Sequence, residues 1–263
     1  FRNISCFQYH FLFLYKIIMW DKNQKTIGSE TNFSGIGLHS GEKVNVTLVP
    51  ANSNSGITFK RTDLEKNNEI DANFKNVSSA KLCTKLQNEY GASVSTIEHL
   101  MAAFYICGID NVLVNLNGPE VPIMDGSAKD FVKIIKDCGL KTLEGKRKFV
   151  RINNKIELKK EDGKFINIKP SNQAFEAKFT LNYDKNPLIK SQTNKINFMS
   201  KNLDEIINAR TFCLYEDIEM IKSIGLAKGG SLDNAIVVQG NKVLNNGGLR
   251  SKKEFVNHKI LDL

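Results

Sequence analysis

Histidine is scarce in this chain, with four in 263 residues: His10, His39, His99 and His258. They lie far apart, so any histidine-based metal or acid–base site must be assembled by the fold. Long apolar runs are also missing. No stretch approaches the roughly 18 uncharged apolar residues of a spanning helix, which excludes one. The five cysteines (Cys6, Cys83, Cys107, Cys138 and Cys213) are odd in number and show no C-x-x-C spacing. That argues against a disulfide scaffold and a cysteine-type zinc site. It predicts a reducing, cytoplasmic setting. There is no close internal repeat and no low-complexity tract. Aromatic residues do not interleave with basic ones, so an RNA-binding signature is lacking.

What is present is a basic chain with a core. Lys and Arg number 37 against 28 Asp and Glu, a net charge of +9. Such a charge points to an anionic partner: nucleic acid, a phosphorylated substrate or a membrane surface. The alternative is lysine spread over solvated faces. The basic residues are dispersed, with one short cluster at Lys146-Arg147-Lys148 and Arg151. A hydrophobic fraction of 41% with 16 Phe is enough for a packed interior and excludes wholesale disorder. The length fits one large domain or two small ones. Residues 1–18 are aromatic and apolar without a small-residue cleavage site, and read as extra translated sequence ahead of a start at Met19. The chain stops at Leu263 inside an apparent helix, which predicts a fragment at both ends.

Gly35-Ile-Gly-Leu-His39-Ser-Gly41 reads as a glycine-rich turn. Lys43 to Val49 alternates with period two, the pattern of a half-buried strand. Gly56 to Arg61 and Asn111 to Asn117 read as further strands. Ser95 to Cys107 reads as a helix opened by a Ser95-x-x-Glu98 capping box. Ser127 to Cys138 reads as a second helix closed by Gly139. Lys141 to Lys148 is charged and polar, the composition of a linker. Beyond it the pattern restarts. Phe149–Ile152, Lys155–Leu158, Phe165–Ile168 and Ala235–Val238 read as strands. Helices are expected near 201–208, 216–224 and from Ser251 onward. Strands followed by helices, twice over, predict an α+β protein of two domains, 19–145 and 146–263, each a sheet with helices on one face.

Two helices carry polar residues in unexpected places. At about 100° per residue, Ile97, Leu100, Met101 and Phe104 share one arc of the first. His99 falls nearly opposite, beside Ala102 and Ala103, with Glu98 between the faces. His99 is then either a surface residue, or one whose small neighbours let another segment approach. In the last helix Ser251-x-x-Glu254 is again a capping-box pattern, and His258 and Asp262 are one turn apart on one face. The rest of that helix is apolar enough to be buried, so the two polar side chains need partners. They form either a buried His–Asp hydrogen bond or a pair of metal ligands. With His99 added, the set would be three protein ligands with a fourth position left for water, the arrangement of a catalytic zinc site.

At these residues the chain resembles the UDP-3-O-acyl-N-acetylglucosamine deacetylases, zinc amidases of bacterial lipid A synthesis. The matching segments are Gly35–Lys43, Ser95-Thr-Ile-Glu-His-Leu-Met101, Gly108-Ile-Asp-Asn111, Pro119–Ala128, Asn208-Ala-Arg-Thr-Phe212, Gly225–Val238 and Phe255-Val-Asn-His-Lys-Ile-Leu-Asp262. They are long, unusual and in one order, from about Ile27 to Leu263. The resemblance implies two similar α+β domains with the metal at their junction. It implies His99, His258 and Asp262 as zinc ligands, Glu98 as general base, and Thr211 and Lys259 at the reacting amide. It also implies an apolar passage for an acyl chain within 211–238, lined by Phe212, Ile218, Ala227 and Val237. Leu38 and Ser231 complete the expected substrate contacts. His39 is read either as a structural turn residue or as a substrate contact.

The implied reaction is hydrolysis of the acetamide of a UDP-linked, 3-O-acylated N-acetylglucosamine, giving UDP-3-O-acyl-glucosamine and acetate. The cofactor is zinc, although two His and an Asp also suit Fe²⁺. The expected partner is the UDP-linked acylated amino sugar. No nucleic acid is expected, nor a transmembrane segment; peripheral contact with the membrane and a monomeric state are. The family's general-acid histidine would lie beyond Leu263, so the chain as given is expected to be impaired. The competing readings are an inactive zinc-binding fragment and a basic nucleic-acid-binding module. The second offers no reason for His99, His258 and Asp262.

Overall fold

A computed structural model describes residues 22–171, 175–199 and 202–263. The reading of 1–18 as a leader falls outside them. In chain order the first half contains β1 (Asn23–Ile27), β2 (Thr31–Ile36), β3 (Lys43–Pro50), β4 (Ile57–Arg61) and β5 (Glu69–Asp71). It continues with β6 (Val77–Ser79), β7 (Lys85–Gln87), β8 (Ser93–Val94), α1 (Glu98–Cys107), β9 (Val112–Leu116), α2 (Lys129–Asp137) and β10 (Leu140–Lys146).

The main sheet has the order β2-β3-β9-β4-β5, and only the β4–β9 pair is parallel. The alternation in β3 sets its orientation: Val44, Val46 and Leu48 are fully buried. Val112, Val114 and Leu116 of β9 do the same next door, with Leu48 opposite Val114. α1 and α2 pack on each other beside this apolar face. Phe59 from β4, Phe104 from α1 and Phe131 from α2 are among the largest side chains enclosed. Each contributes about 1.5–3 kcal/mol by leaving water.

The expected linker at Lys141–Lys148 is instead mostly β10, paired antiparallel with β1. Its polar composition is explained by exposure: it is a strand of a two-stranded sheet, with little face to bury.

The second half holds β11 (Ile156–Lys159), β12 (Phe165–Ile168), β13 (Glu176–Tyr183), β14 (Lys190–Asn197), α3 (Asp204–Ile207), β15 (Phe212–Leu214), α4 (Ile218–Ser223), β16 (Ile236–Gln239), β17 (Lys242–Val243) and α5 (Glu254–Leu261). The α+β class holds. The expectation of one sheet in this half does not: the described strands form three small sheets, β11-β12, β13-β14 and β15-β16-β17. Phe149–Ile152, expected as a strand, is irregular.

The hydrophobic interior is in two parts. The larger contains the first-half residues together with Ala177, Ile206, Ile207, Ile260 and Leu261. The smaller contains Leu181, Ile189, Ile236, Val238, Phe255 and Val256. α5 therefore feeds both, Phe255 and Val256 to one and Ile260 and Leu261 to the other.

Candidate metal centre

The sequence places Glu98 and His99 at the start of α1, and a buried carboxylate fixes that start. Glu120 is 1% exposed. It accepts from the Thr96 hydroxyl at 2.7 Å and from the backbone N–H groups of His39 and Ser40 at 2.9 and 2.8 Å. Thr96 is held in the left-handed region, at φ 57°. The helix begins only at Glu98, and no side chain caps it. The expected Ser95 capping box is therefore absent, because Ser95 pairs with Pro119 and Val121 on an extended path. Gly37 makes the approach of Glu120 feasible, since a Cβ there would collide with Ser40 Oγ and the Glu120 carboxylate.

Nor does Ser251 cap α5. The Glu254 side chain turns away from the helix end and accepts from the Arg210 guanidinium and the Arg250 N–H. Seven of the eight helical residues of α5 are buried, His258 among them. His258 and Asp262 stack one turn apart, as their spacing predicts.

His99 is buried at 3% exposure, contrary to its expected position away from the core. The arc opposite Leu100 and Phe104 does not face water. α5 packs on it, and the His99 and His258 rings meet edge to face with centroids 4.9 Å apart. Ala103 is fully buried in the same contact region. The small residues beside His99 do admit another segment, and that segment is α5.

The trio His99, His258 and Asp262 presents one ligand-type atom from each residue, all within 4.8 Å of one another. Asp262 Oδ1 lies 3.4 Å from His258 Nε2 and 3.7 Å from His99 Nε2. Two ligands at about 2.0–2.1 Å from one tetrahedral ion are about 3.3 Å apart, so the spacing suits a shared cation. Two further observations support the fit. Asp262 Oδ1 is buried without a hydrogen-bond partner. His258 Nδ1–H donates to the Ala209 carbonyl at 3.0 Å, leaving Nε2 as the free lone pair, which is the tautomer a metal requires.

The charges agree. Burial, then the neighbouring His258, pushes His99 down to about 3. Burial likewise lowers His258. Both imidazoles are neutral at pH 7. Burial alone would raise Asp262, but the Lys259 ammonium beside it opposes this, and the carboxyl is held below its ordinary value. Lys259 Nζ donates to Asp262 Oδ2 at 3.0 Å, leaving Oδ1 to face the imidazoles. Glu98 is pushed up to about 7, chiefly by burial, against the opposing backbone hydrogen bonds, one of them from Thr84 N–H at 3.0 Å. A carboxyl in that range exchanges a proton readily at neutral pH.

Thr211 is held through its backbone, donating to the Gly126 carbonyl at 2.8 Å. Gly126 has φ 85°, and a Cβ would strike the Asn234 carbonyl. The Phe212 ring lies under Lys259 Nζ at 5.6 Å and packs edge to face on Phe255 and Tyr183. Leu38 and Ala227 are brought together elsewhere. Gly229 N–H donates to the Leu38 carbonyl at 3.0 Å, and Ala227 N–H donates to His39 Nδ1 at 3.3 Å. His39 thus fastens the glycine-rich turn to the 227–230 loop. Ile218 heads α4 and is half-buried, Ser231 is exposed, and Val237 is 7% exposed on the face of β16 opposite Ile236 and Val238. The sequence reading missed Glu120, Arg210 and the Ala209 carbonyl. Only tertiary contacts reveal them, and a backbone carbonyl leaves no trace in residue type.

The family model for LpxC, UDP-3-O-acyl N-acetylglycosamine deacetylase, matches residues 24–263. The chain belongs to this family. A deacetylase of that name from Chromohalobacter salexigens is 45% identical over 242 residues, covering 91% of this chain and 78% of the relative. Those from Haemophilus ducreyi and Actinobacillus pleuropneumoniae are 43% and 42% identical over 243 and 241 residues, with the same coverage. Deacetylase family membership extends across both halves of the chain, so it includes α1 and α5, the two helices that carry the trio.

Proposed function

We propose that the protein removes the acetyl group from the 2-acetamido group of a UDP-3-O-acyl-N-acetylglucosamine, giving acetate and UDP-3-O-acyl-glucosamine for lipid A. The observation that carries this reading is the trio of buried His99 and His258 with half-buried Asp262, beside Glu98, in a chain of the deacetylase family. These three residues would hold the metal, for which we assign Zn²⁺, with Fe²⁺ the other ion the set suits. A bound ion of this kind polarises an amide carbonyl and makes water more acidic.

The remaining work falls to side chains. Glu98 is the base that takes the proton as water attacks the carbonyl carbon and returns it to the amine as the C–N bond breaks and acetate leaves; its elevated proton affinity supports this role. The Lys259 ammonium and the Thr211 hydroxyl are the donors to the oxygen that gains negative charge, an effect worth roughly 3–4 kcal/mol per well-placed donor. Lys259 reaches the site through its bond to Asp262. Phe212, Ile218, Ala227 and Val237 form the apolar wall for the acyl chain, with Leu38 and Ser231 as further substrate contacts. We place the domain boundary at 145/146 and the enzyme in the cytoplasm. The described free cysteines fit that compartment, and no described helix is long and apolar enough to cross a membrane.

Acetate release by the purified full chain supplied with Zn²⁺ tests the reading. The Glu98→Gln variant should keep its zinc and lose about 10²–10⁴-fold in turnover. Undiminished turnover would remove Glu98 from the base role. Because the chain as given is expected to be impaired, the supporting result is slow acetate release above the background of Zn²⁺ alone; no release above that background would remove the activity.

A further inference from the structure

The buried Arg210–Glu254 pair lies one helical turn before His258, and its contacts meet those of His258 on a single peptide group. The Ala209 carbonyl, which accepts from His258 Nδ1–H at 3.0 Å, belongs to the same peptide unit as the Arg210 N–H. That N–H donates to Glu254 Oε1 at 3.2 Å. A trans peptide points its C=O and N–H in opposite directions within one plane. Glu254 and His258 are i and i+4 on α5, so they project from one face about one turn apart. The helix thus grips one rigid peptide plane at both ends.

The grip is reinforced. Arg210 Nε donates to Glu254 Oε1 at 2.8 Å and Nη2 to Oε2 at 3.2 Å. Nη2 also donates to the Gly248 carbonyl at 2.8 Å, and Arg250 N–H donates to Glu254 Oε2 at 2.6 Å. Glu254 is fully buried and Arg210 is 8% exposed. With both carboxylate oxygens saturated, neither side chain has freedom to rotate.

We infer that Arg210 and Glu254 are positioning residues for the metal ligand His258, acting through the Ala209–Arg210 peptide. Holding the N–H end sets the direction of the C=O end. That carbonyl then sets the imidazole plane and keeps the proton on Nδ1, so that Nε2 faces Asp262. The same segment continues into Thr211, so the pair also fixes where the Thr211 hydroxyl starts from. This inference rests on the metal reading above.

Co²⁺ is the probe, added to the metal-free full chain, with affinity measured by chelator competition below the melting range and coordination read from visible absorption. Glu254→Ala removes the acceptor of the Arg210 N–H and should weaken Co²⁺ binding about 10–100-fold and alter the spectrum. Glu254→Gln keeps an acceptor oxygen and should fall between it and wild type; it carries the test if Glu254→Ala does not fold. Asp110→Asn breaks another partly buried ion pair, with Arg147 at 2.6 Å, and controls for general destabilisation. It should lower Tm and leave Co²⁺ affinity unchanged. Wild-type affinity and spectrum in the folded Glu254 variants would overturn the inference, as would an equal loss in Asp110→Asn. A wild type that binds no Co²⁺ would instead overturn the metal reading itself.

Discussion

Individual carboxylates do three different jobs in this molecule, and burial with its partners decides which. Glu120 and Glu254 are buried and saturated by donors, so they fix backbone. Asp262 keeps one oxygen without a partner and faces two neutral imidazoles. Glu98 has its proton affinity raised to about 7 by burial. Removing Glu120 leaves the N–H groups of His39 and Ser40 and the Thr96 hydroxyl without their acceptor. Glu120→Ala should therefore cost about 2–4 kcal/mol in urea unfolding. A loss below 1 kcal/mol would mean that water replaces it. The one-turn spacing of His258 and Asp262 was legible in the sequence as an i,i+4 pair on a largely apolar helix. His99 was only half legible. Helical periodicity gave its direction, but not that a helix some 150 residues later would cover it.

Elements show the same division. β3 and β9 alternate apolar residues on one face, and both were readable at their observed places. β13 and β14 were not, although they form an eight-residue antiparallel ladder. Lys190-Ser-Gln-Thr-Asn-Lys-Ile-Asn197 is almost wholly polar, so it carries no period-two signal. Both capping-box patterns misled for one reason. The capping bonds lost to other partners, Ser95 being held by Pro119 and Glu254 by Arg210 and the Arg250 N–H. The loop before α2 depends on Gly126, whose backbone lies against Asn234 and Thr211. Gly126→Ala adds both a left-handed strain and a collision. It should destabilise by about 2–4 kcal/mol in thermal or urea unfolding; a wild-type midpoint would show that the loop can move aside freely.

At the scale of the molecule, the candidate centre lies where the parts of the chain meet. His99 belongs to a helix of the first half, while His258 belongs to α5, which feeds both apolar cores, and Asp262 caps the C-terminus of α5. No single segment predicts that these residues meet, because the contact joins helices about 150 residues apart in sequence. An ion at this junction ties α1 to the end of α5. Zn²⁺ at a hundredfold excess over its Kd should therefore stabilise the fold by about 2.7 kcal/mol. A chelator should lower Tm in the wild type and leave Tm unchanged in His99→Ala. Equal chelator shifts in both proteins would place the ion elsewhere.

Whether His99, His258 and Asp262 hold a metal is decided by elemental analysis of the purified chain. Close to one divalent ion per chain is expected in the wild type and in Glu98→Gln, and almost none in Asp262→Ala. An Asp262→Ala protein that retains its ion would contradict this.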